Sequence, residues 1–163
     1  MLDPTIEAKK VLDNLWKNKG FPVDPVAISK LMGIDVLDTE LPESVSGALI
    51  KEAGKDPVIV LHHQDSNNRK RFSCSHELGH YIYRTESDDL SQEYEYIEFR
   101  GPSSSTGTDS EEIFANQFAA NLLMPHEAII GINKGDISHY EMALHFGVSA
   151  EALKLRLKNL RLL

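Results

Sequence analysis

The sequence has one cysteine, Cys74, in 163 residues. A lone thiol closes no internal disulfide, so the fold must rest on its core, as expected in a reducing compartment. No apolar run approaches the roughly 20 residues that span a bilayer. The opening Met1-Leu2-Asp3-Pro4-Thr5-Ile6-Glu7 has neither the basic start nor the apolar stretch of a signal peptide. A cytoplasmic protein with no membrane partner is therefore expected. Positive charge is also short: 17 Lys and Arg stand against 25 Asp and Glu, a formal net charge of -8. A general nucleic-acid binder needs clustered cations to neutralise phosphates, so direct DNA binding is not expected. Lys154, Arg156, Lys158 and Arg161 make the C-terminal stretch a local exception. Repeats are absent.

What is present suffices for an ordinary core, with 41% hydrophobic residues. The length suits one domain, with residues 1–135 expected to form its body and 136–163 a helical pair packed on it. Residues 4–19 have an amphipathic helical pattern that Gly20 should end. Residues 25–32 read as a short helix closed by Gly33. Three strand candidates follow, at 34–37, 46–50 and 57–61, the last two joined by a turn at 52–56. A helix should cover 68–84, a strand or docked segment 94–99, and another helix 110–124 before Pro125. Two C-terminal helices, 136–146 and 149–160, should flank Gly147-Val148-Ser149. The acidic stretch 85–93 and the Gly/Ser/Thr/Pro-rich 101–108 read as loops, the second a possible lid. The result is a helix-rich α+β fold with a small β-sheet.

The chemistry sits in His76-Glu77-Leu78-Gly79-His80. Histidines four apart on a helix share a face, with Cβ atoms roughly 5–6 Å apart, so both imidazoles can reach one Zn²⁺. Glu77 is placed to accept a proton from water rather than to ligate. Gly79 costs a helix roughly 1 kcal/mol against Ala, which implies close approach by another element. A catalytic zinc needs a third protein ligand and an open position. Glu111 and Glu112 start the downstream helix. Glu112 shares a face with Ala115, Asn116, Ala119 and Leu123, and the small residues permit helix contact. Glu111 lies about 100° round and should face solvent. An acidic helix start can instead be a cap, with Asp109 as N-cap and Glu112 at the third position. A metal helix lacking a third ligand favours ligation by Glu112.

Together these segments resemble the ImmA/IrrE metallopeptidases. The resemblance runs through His76-Glu77-Leu78-Gly79-His80 and its lead-in Arg71-Phe72-Ser73. It continues in Glu112-x-x-Ala115-Asn116-x-Phe118-Ala119-Ala120-x-Leu122-Leu123-Met124-Pro125 and in the tail from Phe146 to Leu157. It covers roughly residues 25–160. It implies a minimal thermolysin-like zincin domain with one zinc ion, held by His76, His80 and Glu112, and Glu77 as the catalytic glutamate. It further implies a cytoplasmic endopeptidase that cuts a helix-turn-helix repressor and relieves repression. Cys74 departs from the family pattern, and at about 200° round the helix from His76 it is not counted as a ligand.

Other residues carry weaker expectations. Asn116 can orient a ligand histidine. Tyr140, His139, His126, Tyr81 and Arg71 can each donate to a developing oxyanion, and the sequence selects none. His62 and His63 can border the cleft or form a solvated strand end. His145 should belong to the C-terminal helix pair. The strand ending at Leu61 can offer an edge to an extended substrate. Two other functions share these features. One is a zinc protein that sequesters a repressor without cutting it. The other is a DNA-binding module built on the helix-turn-helix-like residues 138–160, with Phe146, Val148, Leu153 and Leu157 as its core.

Overall fold

A computed structural model describes residues 2–87, 93–100 and 109–163. The loop expected at 101–108 and most of the acidic stretch lie outside the described residues. The fold is α+β, with helices predominating and one four-stranded mixed sheet. Its elements are α1 (Pro4–Val11), α2 (Pro25–Leu31), β1 (Asp35–Thr39), β2 (Val45–Lys51), β3 (Val58–His62), α3 (Asn67–Ser87), β4 (Tyr94–Phe99), α4 (Ser110–Leu123), α5 (His126–Asn133), α6 (His139–Phe146) and α7 (Ala150–Asn159).

Local chemistry starts these helices. Asp3 and Asp24 each precede a proline and cap α1 and α2 by accepting from two backbone N–H groups. Ser138 and Glu141 form a capping box on α6, and Ser149 caps α7. The first helix ends earlier than Gly20. It continues from α1 as a π-helical turn, Leu12–Trp16, and Lys17 and Asn18 stop it in left-handed backbone. Helix α5 has no counterpart in the sequence reading. Pro125 was expected only to end α4, but it also serves as the N-cap of α5, and its carbonyl accepts from the Ile129 N–H.

The strand order is β1-β3-β2-β4. β3 runs parallel to β1 and antiparallel to β2, and β2 runs antiparallel to β4. β3 is thus interior, so Leu61 ends no free edge, and β4 is the edge nearest the histidines. Leu49, Ile59 and Leu61 face Leu78 and Ile82 of α3 in the main core, which Ile28, Phe118 and Leu122 complete. A second core joins the end of α4 to α5, α6 and α7 through Leu123, Met124, Ile129, Met142, Phe146, Leu153 and Leu157. Helix α4 therefore serves both cores.

Two contacts fix α3. Arg71 donates through Nε to the Gly147 carbonyl at 3.0 Å. Gly147 has φ +66°, which favours glycine, and a Cβ there would meet Arg71 Nε at 2.8 Å and displace the guanidinium. Gly79 lies against α4, where an added Cβ would meet Ala115 Cα at 2.9 Å and the Ala115 carbonyl oxygen at 3.2 Å. Gly79→Ala should therefore destabilise the protein. Forcing the helices apart costs about 1–3 kcal/mol, which outweighs the roughly 1 kcal/mol gain in helix propensity. Denaturant unfolding checks this, and a midpoint at or above wild type would contradict it.

Candidate metal centre

Helix periodicity brings His76 and His80 to one face of α3, and the Gly79–Ala115 contact brings α4 within reach. Their Nε2 atoms are 3.2 Å apart. The Glu112 carboxylate straddles them, with Oε1 2.9 Å from His76 Nε2 and Oε2 3.0 Å from His80 Nε2. Ligand atoms about 2.05 Å from a tetrahedral metal lie about 3.3 Å from one another, so this donor set fits one ion. Both histidines are buried, and Glu112 is partly exposed toward the cleft. Asp109 alone caps α4, by accepting from the Glu111 N–H, which leaves the Glu112 side chain free for the histidines.

Charge balance points the same way. Burial drives the Glu112 carboxyl up, but hydrogen bonds from His76 and His80 outweigh it and hold the group at about 2. Burial works against both imidazolium ions, yet the carboxylates around them raise their pKa values above the ordinary histidine value. Burial pushes Glu77 up to about 8, and its Oε2 is buried without a hydrogen-bond partner. Two further carboxylates already have cations. Arg69 Nη2 donates to Glu98 at 2.7 Å, and Arg84 Nε lies 3.3 Å from Glu111. That leaves Glu77 and Glu112 beside two imidazoles, an excess of two negative charges when the rings are neutral and both carboxyls are ionised. A divalent cation matches that excess, and imidazole with carboxylate suits a transition metal.

A cleft of about 970 Å³ opens from this cluster. His76, Glu112, Arg69 and Glu98 stand at one end. Phe72, Met124, Leu155 and Leu160 form an apolar wall, and Asn116, Asn121 and Asn159 supply carboxamides. Asn116 lines the cleft but hydrogen-bonds neither histidine. His139 and Tyr140 are exposed on α6, Tyr140 at 69%, and neither lines the cleft. His126 does line it, whereas Arg71 is spent on Gly147. His62 is buried, not solvated, and its Nδ1 accepts from the Gln64 N–H, while exposed His63 bonds Asp38. His145 packs against Phe21 and Phe146.

Glu111 does not face solvent as expected. It is buried, its Oε1 3.4 Å from His80 Nδ1. Arg69, Tyr96 and Glu98 also escaped the sequence reading. In β4 the pattern is inverted: Tyr94, Tyr96 and Glu98 turn inward while Ile97 and Phe99 are exposed. A glutamate continuing an aromatic face was the available signal. Arg69 lies seven residues before His76, and so nearly on the same helix face.

Residues 30–158 match the IrrE N-terminal-like domain, Peptidase_M78. The chain is 24% identical over 133 residues to uncharacterized immunity region protein 2 of Bacillus phage phi105, covering 82% of this chain and 78% of that protein. In fold it is similar to a Mycobacterium tuberculosis transcriptional regulator, with a TM-score of 0.62 at 18% identity, over 96% of this chain and 47% of that one. The chain thus spans about half the length of that regulator.

Metal analysis should find about one transition-metal ion per wild-type chain and far less in Glu112→Ala. Undiminished metal in the variant would remove Glu112 from the site. Cys74 lies apart, fully buried beside Ser29, with burial pushing its thiol up to about 12. A raised thiol pKa means less thiolate at any given pH. The native chain should therefore resist a disulfide-exchange reagent at pH 8 and release one reactive thiol on denaturation. Rapid labelling of the folded chain would contradict this.

Proposed function

The chain belongs to the IrrE N-terminal-like peptidase family, and from that premise we propose that it is a zinc-dependent endopeptidase acting on a helix-turn-helix repressor. The observation that carries this reading is the convergence of His76 Nε2, His80 Nε2 and the Glu112 carboxylate, with a buried Glu77 beside them. These three side chains would hold the ion. When bound, zinc supplies Lewis-acid polarisation of a carbonyl and acidifies water.

The chain's own residues supply the rest. Glu77 accepts the proton of the attacking water on its carboxylate and returns it to the leaving amine. Burial raises the Glu77 pKa, which strengthens the carboxylate as a base once a neighbouring cation holds it ionised. The cleft admits a peptide in extended form beside β4, which pairs only with β2 among the described residues. Phe72, Met124, Leu155 and Leu160 exclude water from apolar side chains, and the Asn116 and Asn159 carboxamides can bond the peptide backbone. The substrate class is supported by the relatives' names, one from a phage immunity region and one a transcriptional regulator. It agrees with the family resemblance of the paired motifs. No helix of the described residues is long and apolar enough to cross a membrane, which fits a substrate met in solution.

Incubation with candidate helix-turn-helix repressors, read by gel and mass spectrometry, tests the reading. Wild type should generate fragments. Glu77→Gln should retain zinc and lose cleavage by about 100-fold or more. A stable complex without fragments would replace the peptidase by a sequestering protein. Cleavage at the wild-type rate by Glu77→Gln would sink the proton-transfer role.

A further inference from the structure

Glu111 and Glu112 are neighbours on α4, yet their carboxylates reach opposite nitrogens of one ring. Glu112 Oε2 lies 3.0 Å from His80 Nε2, and Glu111 Oε1 lies 3.4 Å from His80 Nδ1. A neutral imidazole carries a single N–H. If Nε2 is to offer a lone pair toward the cluster, the hydrogen must sit on Nδ1. A buried N–H without an acceptor costs about 1–3 kcal/mol. His80 Nδ1 and Glu111 Oε1 are both buried, and neither has a closed hydrogen bond elsewhere. A shift of a few tenths of an ångström would join them. The ring's face is fixed as well. Tyr96 stacks on it at 4.3 Å between centroids, 16° from parallel. The Tyr96 hydroxyl accepts from Arg84, and the nearby Glu111 carboxylate helps burial raise its pKa.

We propose that Glu111 is a positioning residue, fixing the tautomer and tilt of His80 so that Nε2 faces the ion. The inference rests on the reading of His76, His80 and Glu112 as ligands. It sets the two histidines apart: among the described residues His80 has a carboxylate oxygen beside each ring nitrogen, at 3.0 and 3.4 Å, whereas His76 is paired through Nε2 alone.

The test uses the full chain and two readouts besides activity. Zinc affinity is measured by competition with a chromogenic chelator, and ligand geometry by the visible spectrum of the cobalt-substituted protein. Glu111→Ala should weaken zinc binding about 10–100-fold and shift the cobalt bands. Glu111→Gln can still accept from Nδ1–H through its carbonyl oxygen, so its affinity should fall between Ala and wild type. A purely structural Glu111 predicts a lower unfolding midpoint of the metal-free chain with unchanged affinity and spectrum, and that result overturns the proposal. If Glu111→Ala fails to fold, Glu111→Gln decides by the same criteria. Glu112→Ala, measured in parallel, separates two failures. Zinc lost there but fully retained in both Glu111 variants overturns the Glu111 role alone. Zinc retained in Glu112→Ala removes the ligand reading, and the Glu111 role with it.

Discussion

The contact between Gly79 and Ala115 sets the distance on which the site depends. A helix pair separated by ordinary side chains lies about 8–10 Å apart between axes, and a short carboxylate side chain on one helix must then stretch to reach a ring on the other. Here a glycine faces an alanine backbone too closely for any Cβ. One turn from that point on α4 stands Glu112, and on α3 Gly79 is flanked by the histidine pair. The same approach lets Phe118 and Leu122 enter the main core beside Leu78. Core formation and convergence of the three donors are thus one event, and neither can be relaxed without the other.

Such convergence carries a cost. His76, Glu77 and His80 are nearly inaccessible to water, and an unpaired buried charge is expensive. The protein meets this by interleaving. Glu98 on the sheet edge is met by Arg69, and Glu111 by Arg84. The carboxylates left over lie next to the two imidazoles. They raise the pKa values of both rings, so without a cation the imidazoles take up protons more readily. A divalent ion would take the place of those protons, so the arrangement is suited to exchanging one positive occupant for another with little movement.

The parts of this scheme that follow a single helix period were legible in the sequence. His76 and His80 four apart, Glu112 in phase with Ala115, and Gly79 as a point of close approach all depend on one axis at a time. Glu111 was not legible for the same reason. A helical wheel placed it about 100° from Glu112 and assigned that direction to solvent. Whether solvent lies there depends on Tyr96, brought by β4, and on Arg84, one turn beyond His80 on α3. The strand at 57–61 was readable from its β-branched run, but its interior place depends on β1 pairing parallel beside it. Pro125 was read as an end, because proline cannot continue α4, and the same residue begins α5. In each case local pattern fixed the element, and a partner distant in sequence fixed its surroundings.

The C-terminal pair shows how such a pattern can suggest a second function. Phe146, Val148, Leu153 and Leu157 have the spacing of a helix-turn-helix core, and all four are buried. What they bury against is the end of α4 and α5, in one cluster with Leu123, Met124 and Ile129. Arg156, one of the basic residues that might have faced a phosphate, turns inward instead. Its Nε donates to the Met124 carbonyl and its Nη2 to Asn121 Oδ1, both at 3.0 Å. The next turn of α7 presents Asn159 and Leu160 to the cleft, and Leu155 stands beside them. On the proposed reading, a peptide in the cleft would compete with DNA for that surface. The apolar spacing reflects a helical hairpin anchored through a buried arginine, and that anchoring sets α7 along the cleft.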